Sequence, residues 1–335
     1  MPKYYMISNR NITGTVLGGN RASKVTYWLS DGAGPLDTLA SWGGKPVTQA
    51  EFKKQVLAAA QAFPDLPPAA QEQQKHVTLF VHGYNNAWQD AVARYQTISK
   101  SLFEGDEGLG LCIFFTWPSK GSPAAYLADR SEAEQSAADL AGVLSDLYDF
   151  LSAIAVKTAA DPASACRAKT SMIAHSMGNY VLQKAAQVAW TRKNQPLLVS
   201  LLNQLLMVAA DVDNDLFKSG ESVDKSDGDA LANLTYRVTA LYSGLDQVLG
   251  LSAGLKHFGK RRLGRSGLDR NVSEPDNVWD IDCSPFFQVD HVGGFDAHGA
   301  YFDEPQTLEL MRQLLRGVDR SVLTAGKGLL SSAAV

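Results

Sequence analysis

The chain has 335 residues, 45% of them hydrophobic, and a formal net charge of −4 at pH 7, so it can bury the core of one sizeable α/β domain and has no overall positive field to attract nucleic acid. Its three scattered cysteines, Cys112, Cys166 and Cys283, have no metal-type spacing and favour a reducing compartment over a disulfide framework. The start of the sequence has no hydrophobic signal region, and the longest apolar segment, 197–210, is too short to span a bilayer, so we expect a cytoplasmic protein with no integral membrane segment.

The N-terminal part of the chain predicts two strands and a helix. Residues 3–8 and 24–29 alternate between apolar and polar side chains, and a turn at 18–20 would join them as the antiparallel start of a mixed sheet. A helix is predicted over 48–63 from its apolar spacing. The segment 64–74, rich in proline, alanine and glutamine, predicts a surface loop.

Apolar strands then alternate with amphipathic helices. Such an alternation predicts a mostly parallel sheet covered by helices on both faces, with ligands bound where the carboxyl ends of the strands meet. Ser131 and Glu134 match a capping box that would start one of the helices. The predicted strands are 76–81, 111–116, 170–173, 205–210, 234–242 and 278–283, and the other helices are 87–102, the one after residue 178, and 308–315.

The turn around Ser176 carries the clearest chemical motif. A β-favouring run up to Ile173 enters the sequence Ala-His-Ser-Met-Gly, and a helix with apolar residues at helical spacing follows. A serine at the apex of such a strand–turn–helix has its hydroxyl lifted clear of the sheet as a nucleophile. The close packing of strand and helix requires small residues on both sides of the serine, and Ala174 and Gly178 meet this requirement.

A serine needs a histidine base beside it, and the base needs a carboxylate to hold its tautomer. In proteins with this turn the three groups follow each other as serine, acid and histidine. Asp246, after the second strand beyond Ser176, is the favoured acid, and Asp211, after the first, is the alternative. His298, just before the closing helix, is the favoured base, and His291 in the same loop is the alternative.

Two backbone N–H groups are expected to stabilise the negative charge that develops on an attacked carbonyl oxygen. Met177 would supply one at the N-terminus of its helix. Tyr84 would supply the other, because Gly83 lets the chain bend back towards the serine. Further side chains next to these motifs are candidates for the pocket: His82, Asn85, Trp117 and His175. For Trp117, packing in the core is an equally open alternative.

In combination, these motifs resemble a bacterial alpha/beta-hydrolase family that is grouped with esterases and lipases and is largely of unknown function. The resemblance covers about residues 75 to 315 and rests on His82-Gly83-Tyr84-Asn85, Trp117-Pro118-Ser119, Ala174-His175-Ser176-Met177-Gly178, the aspartate-rich turn at Asp211, Tyr242-Ser243 with Asp246, and Arg262-Leu263-Gly264. It implies the α/β-hydrolase fold, to which the residue patterns themselves add antiparallel N-terminal strands and a lid-like insertion. It also implies a Ser176–Asp246–His298 triad that hydrolyses carboxylic esters. One departure is Ala297, where the family has glycine directly before the histidine, so His291 stays open.

A basic insertion is predicted at 250–280, where glycine, lysine and arginine are frequent and no regular element fits. Its cations either hold an anionic acyl group or phospholipid headgroup, or belong to a solvated loop. They are Lys256, Lys260, Arg261, Arg262, Arg265 and Arg270.

We therefore expect a serine hydrolase that cleaves small-molecule or lipid esters through an acyl-enzyme, with no metal, organic cofactor or nucleic-acid partner. Amide or thioester hydrolysis by the same residues is the alternative, because acyl transfer uses one machinery for all three bonds. The third hypothesis is a non-catalytic binding protein on this fold. The whole chain, 1–335, is expected to form one domain with an N-terminal part at 1–74, the insertion at 250–280 and a loose tail at 320–335.

Overall fold

A mixed sheet of eight strands forms the centre of the molecule. The computed structural model describes residues 1–64, 66–67, 70, 73–84, 86–120, 126–160, 168–193, 201–218, 228–257, 259–289, 292 and 294–323. The strands are β1 Tyr4–Thr13, β2 Val16–Ser30, β3 His76–Val81, β4 Gly110–Thr116, β5 Lys169–His175, β6 Leu202–Val208, β7 Thr235–Tyr242 and β8 Val278–Asp282. Their order is β2-β1-β4-β3-β5-β6-β7-β8, and only β1 and β2 pair antiparallel.

Helices cover both faces of this sheet. They are α1 Gln49–Gln61, α2 Trp88–Ile98, α3 Tyr126–Ala160, α4 Gly178–Lys193, α5 Asp229–Leu234, α6 Gln247–Leu251, α7 Leu263–Ser266, α8 Ser284–Val289 and α9 Pro305–Arg316. Short 3₁₀ turns lie at Leu39–Trp42, Asp296–His298, Ala300–Phe302 and Arg320–Val322, and π turns at Ser99–Phe103 and Ser252–Lys256. Within the described part of the chain, no helix has the length and apolar character needed to cross a membrane.

The central strands are buried on both sides, which explains their continuous apolar sequences. On β3, Leu79 and Val81 face the core beneath α1, α3 and α4, whereas Phe80 between them faces the core beneath α2 and α9. Burying a side chain of this size stabilises the fold by roughly 1.5–3 kcal/mol. The mostly parallel sheet with helices on both faces is therefore confirmed, and the strands predicted at 76–81, 111–116, 234–242 and 278–283 are observed to within one residue at each end.

The N-terminal hairpin turns earlier than its sequence predicted. Thr13 pairs with Val16, so the two-residue turn is Gly14-Thr15, and Gly14 has a φ of 61° that suits glycine. The predicted turn at 18–20 is therefore wrong, because these residues lie inside β2. The register between the two strands shifts twice, and the extra residues lie in β2.

The helix α3 begins five residues before the predicted capping box. Tyr126 is its first residue, and Asp129 places a negative charge in its first turn, where the helix dipole favours it. Ser131 lies inside the helix and accepts a hydrogen bond from Gln135. The capping box at Ser131 and Glu134 is therefore wrong.

The segment 250–280 contains more regular structure than its composition indicated. It includes the π turn Ser252–Lys256 and the helix α7, whose Leu263 is fully buried. The prediction that no regular element fits this segment is therefore wrong. Its role as a lid remains a prediction, as does the single-domain organisation, and the residues 324–335 of the predicted tail lie outside the described residues.

A carboxyl group next to β8 provides a test of the fold's response to pH. Burial, and next the carboxylate of Asp280, raise the pKa of Glu274 to about 7, and one of its oxygens has no hydrogen-bond partner among the described residues. The unfolded chain ionises this group at lower pH, so wild-type stability should fall as the pH rises between the two pKa values. We expect Glu274→Gln to raise the melting temperature at pH 8 and to leave it unchanged at pH 4.

Glu134→Gln is a matched control, because Glu134 is exposed on α3. It should shift the melting temperature equally little at both pH values. A Glu274→Gln variant with the same melting-temperature difference at pH 4 and pH 8 would contradict the predicted proton linkage.

Candidate active site

The carboxyl ends of β3 to β8 lie along one edge of the sheet because these strands are parallel. The polar motifs of the sequence follow these ends and therefore meet at this edge. His82 follows β3, Trp117 follows β4, Ser176 follows β5, Asp211 comes after β6, Asp246 after β7, and His298 lies beyond β8 and α8.

Ser176 occupies a strained turn between β5 and α4. Its φ is 52°, which non-glycine residues rarely adopt. The turn is held by its backbone, since the Ser176 N–H donates to the Val208 carbonyl at 3.0 Å and the Ser176 carbonyl accepts from the Asp211 N–H at 3.2 Å. Backbone strain of this kind persists only where surrounding structure fixes it, and it is concentrated at functional sites.

Two glycines let the loop after β3 approach this turn. A Cβ on Gly83 would lie 2.7 Å from the Cβ of Ser176, and a Cβ on Gly178 would lie 2.5 Å from the His82 carbonyl oxygen. Neither distance is possible for a real side chain. The loop that carries Tyr84 therefore lies directly against Ser176.

Ser176, His298 and Asp246 form a continuous hydrogen-bonded array. The Ser176 Oγ lies 2.8 Å from Nε2 of His298, and Nδ1 of His298 lies 2.7 Å from Oδ2 of Asp246. Because a carboxylate only accepts, Nδ1 carries the proton and Nε2 is free to accept the serine proton. A base oriented in this way can activate a serine hydroxyl.

Asp246 is fixed by the fold through one of its oxygens, Oδ1. Its side chain is fully buried at the N-cap of α6, where Oδ1 accepts from the Leu249 N–H at 3.0 Å. The neighbouring Gln247 N–H donates to the Gly294 carbonyl at 3.1 Å, which ties the acid loop to the loop that leads to His298. The carboxylate is thus held in place without help from the imidazole.

His175 supports the loop of His298 from below. Its Nε2 donates to the His298 carbonyl at 2.9 Å, and the two rings are 4.9 Å apart. Burial, and next the neighbouring imidazole, lower the pKa of His175 well below its ordinary value, so this ring stays neutral. His175 also packs edge-on against Phe302, and its contacts are those of a support for the histidine loop.

Asp211, the alternative acid, contacts other groups than His298. Its Oδ1 accepts from Arg262 at 2.8 Å and from Ser252 at 2.9 Å, and its Oδ2 accepts from Tyr126 at 2.8 Å. Burial acts to raise the pKa of Asp211, but Arg262 and the two hydroxyls outweigh it and hold this pKa below its usual value. The geometry therefore favours Asp246 as the partner of the imidazole.

Most of the basic side chains in the segment 250–280 pair with groups of the protein itself. Arg262 is fully buried, and Arg265 donates to the Asp246 carbonyl. Lys260 lies 2.8 Å from Asp213, and Arg270 lies 2.7 Å from Asp280. Arg262 also pairs with Asp213. Four of the six cations thus have partners within the protein, which argues against the interpretation as an anion-binding patch.

Removal of the buried guanidinium should destabilise the protein strongly. In Arg262→Met, Asp211 would lose its counter-charge while staying buried, and breaking such a pair costs about 3–5 kcal/mol. We expect this loss in the free energy of unfolding measured by urea denaturation. Arg261→Met is the matched control, because Arg261 is exposed, and it should change stability little. Equal stabilities for the two variants would contradict the structural role of Arg262.

A cavity of about 460 Å³ opens beside Ser176. Its lining includes apolar side chains, Val248, Leu249, Leu251 and Phe295, and polar ones, His82, Tyr84, Asn86, Arg94, Tyr126, His175, Asp211, Ser252 and His298. Sequence reasoning missed Arg94, Tyr126 and Ser252, because no motif marks these residues and only the fold brings them here.

Trp117 does not line this cavity. Its ring is fully buried and stacks on His82, with centroids 5.3 Å apart, and its Nε1 donates to the His82 carbonyl at 2.8 Å. The predicted pocket role of Trp117 is therefore wrong, since the ring packs beneath the loop after β3. Asn85 and His291 lie outside the described residues.

The described residues contain no group of three or more histidine, cysteine, aspartate or glutamate side chains that could hold a metal ion. Cys112 and Cys283 are free and buried. Burial raises the pKa of both thiols, which keeps them protonated.

Solved structures with a similar arrangement are remote in sequence. Lipase B of Aspergillus fumigatus is 12% identical with a TM-score of 0.40, and the match covers 79% of this chain and 59% of the lipase. A hyperthermophilic esterase from the archaeon Pyrobaculum calidifontis is 9% identical, with a TM-score of 0.36 and coverage of 73% and 77%. A Listeria innocua protein is 13% identical, with a TM-score of 0.38 and coverage of 73% and 95%. None of the curated proteins matches the chain.

The family comparison covers most of the sequence. The model of a family described as alpha/beta hydrolase of unknown function (DUF900) matches residues 65–312, which run from before β3 into α9 and include every residue of the hydrogen-bonded array. The fold class expected from the sequence, an alpha/beta-hydrolase fold, is therefore confirmed. The chain belongs to this alpha/beta-hydrolase family of unknown function.

Proposed function

We propose that the protein is a serine hydrolase that cleaves carboxylic esters through an acyl-enzyme intermediate. The observation that carries this proposal is the unbroken array from Ser176 Oγ to His298 Nε2, at 2.8 Å, and from His298 Nδ1 to Asp246 Oδ2, at 2.7 Å. In this assignment Ser176 is the nucleophile, His298 the general base and Asp246 the carboxylate that orients the base.

The reaction has two steps, acylation of the serine and hydrolysis of the acyl-enzyme, and the same residues act in both. Ser176 Oγ attacks the carbonyl carbon of the ester while its proton passes to Nε2 of His298. The resulting tetrahedral intermediate expels the alcohol, which takes the proton back from the imidazole, and the acyl group stays on the serine. Water then attacks the acyl-enzyme, again with His298 as base, and releases the carboxylic acid and the free serine.

Negative charge on the carbonyl oxygen needs fixed donors during both steps. Met177 follows the serine at the start of α4, where the first backbone N–H groups of a helix have no intrahelical acceptor. Tyr84 lies on the loop that Gly83 brings against Ser176. The N–H groups of Met177 and Tyr84 are the two oxyanion donors in this proposal.

The cavity supports a small-molecule or lipid ester as substrate. Three of its apolar lining residues, Val248, Leu249 and Leu251, belong to α6 and suit an aliphatic acyl chain, and Ser176 lines the same cavity. The turnover experiment described next also measures the preference among ester, thioester and amide bonds.

A fluorophosphonate probe tests the proposal directly, because it reacts with activated serines. We expect labelling at Ser176, located by peptide mass spectrometry, and hydrolysis of p-nitrophenyl esters of graded chain length. Heat-denatured protein is the control and should not be labelled. Absence of labelling in folded protein, or labelling at another residue, would overturn the assignment. Faster turnover of a matched thioester or anilide would retain the nucleophile and change the bond class.

A further inference from the structure

A buried arginine of the N-terminal hairpin reaches the active-site edge. Arg10 lies on β1, only 1% of its surface is exposed, and it lies outside the family match, which begins at residue 65. Burial lowers the pKa of Arg10 to about 9, against the opposing effect of Asp129, so the guanidinium remains charged at neutral pH. A buried charge destabilises the fold unless each of its N–H donors has a hydrogen-bond acceptor. The acceptors that Arg10 contacts therefore indicate what this residue does.

The guanidinium joins the hairpin to two loops of the site. Nε of Arg10 donates to Oγ1 of Thr116 at 2.9 Å, and Nη2 donates to the Asn86 carbonyl at 3.0 Å. Nη1 donates to the carbonyls of Gly18, at 3.2 Å, and Ser119, at 3.3 Å. Thr116 and Ser119 lie at the end of β4, and Asn86 lies on the loop after β3.

From Thr116 the hydrogen bonds continue in one direction. Nδ1 of His82 must donate to the Gly83 carbonyl, at 2.7 Å, since a carbonyl only accepts. Nε2 of the neutral ring is then an acceptor, so the Thr116 hydroxyl, which accepts from Arg10, donates its proton to Nε2 at 3.1 Å. Burial, and next the charge of Arg10, lower the pKa of His82 to about 3 and keep this ring neutral. The Trp117 N–H donates to the same Nε2, at 3.2 Å, and requires the same tautomer.

The last acceptor in this chain belongs to the peptide unit of an oxyanion donor. The Gly83 carbonyl and the Tyr84 N–H share one planar trans peptide, in which they point in opposite directions. A second donor, Nδ2 of Asn86, binds the Gly83 carbonyl at 3.0 Å and the Tyr84 carbonyl at 2.8 Å. The direction of the Gly83 carbonyl, fixed twice, therefore fixes the direction of the Tyr84 N–H.

We propose that Arg10 is a positioning residue for the oxyanion donor Tyr84, an inference that rests on the proposed function. It acts directly on the Asn86 carbonyl, and through Thr116 and His82 on the Gly83 carbonyl. Fixed donors stabilise a transition state because they need no reorganisation when charge develops. The hairpin is thus part of the active-site framework, although its residues do not touch the substrate.

Arg10→Met tests this role, because methionine keeps much of the side-chain volume and removes every donor. We expect kcat for p-nitrophenyl butyrate to fall by about 30-fold and KM to change by less than about twofold, since the donor acts on the transition state. A trifluoromethyl ketone, which forms a tetrahedral adduct with a serine, should lose affinity by a similar factor. A merely structural role would instead reduce the amount of active enzyme and leave kcat per labelled site unchanged.

Further variants separate this link from other effects. Arg21→Met is the matched control, because Arg21 is on the same hairpin but pairs at the surface with Asp139, at 2.8 Å, and it should keep wild-type kcat. Arg10→Lys should be intermediate, since it keeps the charge and loses the fork of donors. Thr116→Val should lower kcat as well, and its effect should not add to that of Arg10→Met.

The outcomes distinguish this inference from the proposed function. If Arg10→Met does not fold, Thr116→Val and Arg10→Lys decide the question by the same kinetic measurement. Wild-type kcat per labelled site in the folded Arg10 and Thr116 variants, with normal fluorophosphonate labelling of Ser176, would overturn the positioning role alone. An unlabelled, inactive wild-type protein would instead overturn the proposed function.

Discussion

Replacing Ser176 with alanine is expected to lower kcat for a p-nitrophenyl ester by about 10⁵- to 10⁶-fold, the loss typical of removing a serine nucleophile. The imidazole would then face a methyl group and could not generate an attacking oxygen. Folding should be retained, because alanine keeps the Cβ and therefore the same backbone strain at a φ of 52°. Steady-state kinetics with purified variant and wild type, together with thermal unfolding, measure both effects.

Ser252→Ala provides a control at the same cavity. Ser252 lines the cavity and donates to Asp211, but it takes no part in the proposed chemistry, so kcat should stay within about tenfold of wild type, in line with the loss of one hydrogen bond. A Ser176→Ala variant that kept wild-type turnover would refute the nucleophile assignment. So would a Ser252→Ala variant that lost activity completely while Ser176→Ala did not.

Asp246→Asn is expected to lower kcat by about 10⁴-fold, because it reverses the tautomer of the base. Asparagine is a good N-cap, so its oxygen can keep the hydrogen bond to the Leu249 N–H. Its amide group then faces Nδ1 of His298 and donates to it. The imidazole proton would move to Nε2, which could no longer accept the proton of Ser176. Kinetics at saturating ester and a melting curve test this result.

Two further variants test whether Asp246, and not another nearby aspartate, is the acid that orients His298. Asp296→Asn removes an exposed carboxylate two residues before His298, and it should leave activity within about twofold, since surface substitutions have small effects. Asp211→Asn should lower stability first, because Asp211 holds the buried Arg262. A folded Asp211→Asn variant with the larger loss of kcat, next to a nearly active Asp246→Asn, would transfer the role to Asp211.

The sequence predicted the sheet well because its signals are local. Continuous apolar segments such as 76–81 and 111–116 can only be buried on both faces, and parallel strands then place their ends at one edge. The wrong predictions, of the hairpin turn and of the start of α3, concern segments where more than one local pattern was compatible with the sequence. Glycines occur both at 14 and at 18–19, and the chain turns at Gly14, where a positive φ allows Thr13 of β1 to pair with Val16 of β2. The helix α3 begins before Ser131 because the residues ahead of it also favour helix.

The sequence did not predict which side chains that are far apart in the chain form pairs in the fold. Arg262 was grouped with exposed cations, whereas the fold buries it against Asp211, and nothing in its neighbourhood of glycines and lysines distinguishes these cases. Trp117 was equally ambiguous between pocket and core. Arg10 carried no motif at all, since its partners Thr116 and Asn86 are 106 and 76 residues away in the chain.

The sequence by itself determined the alternation of strands and helices and the strand–turn–helix around Ser176. Periodicity and turn chemistry act between near neighbours and can be read along the chain. It narrowed the acid to two aspartates, but only the tertiary structure placed Asp246 against His298 and Asp211 against Arg262. That decision depends on loop paths and on distances between residues 51 or more positions apart, which no local pattern encodes.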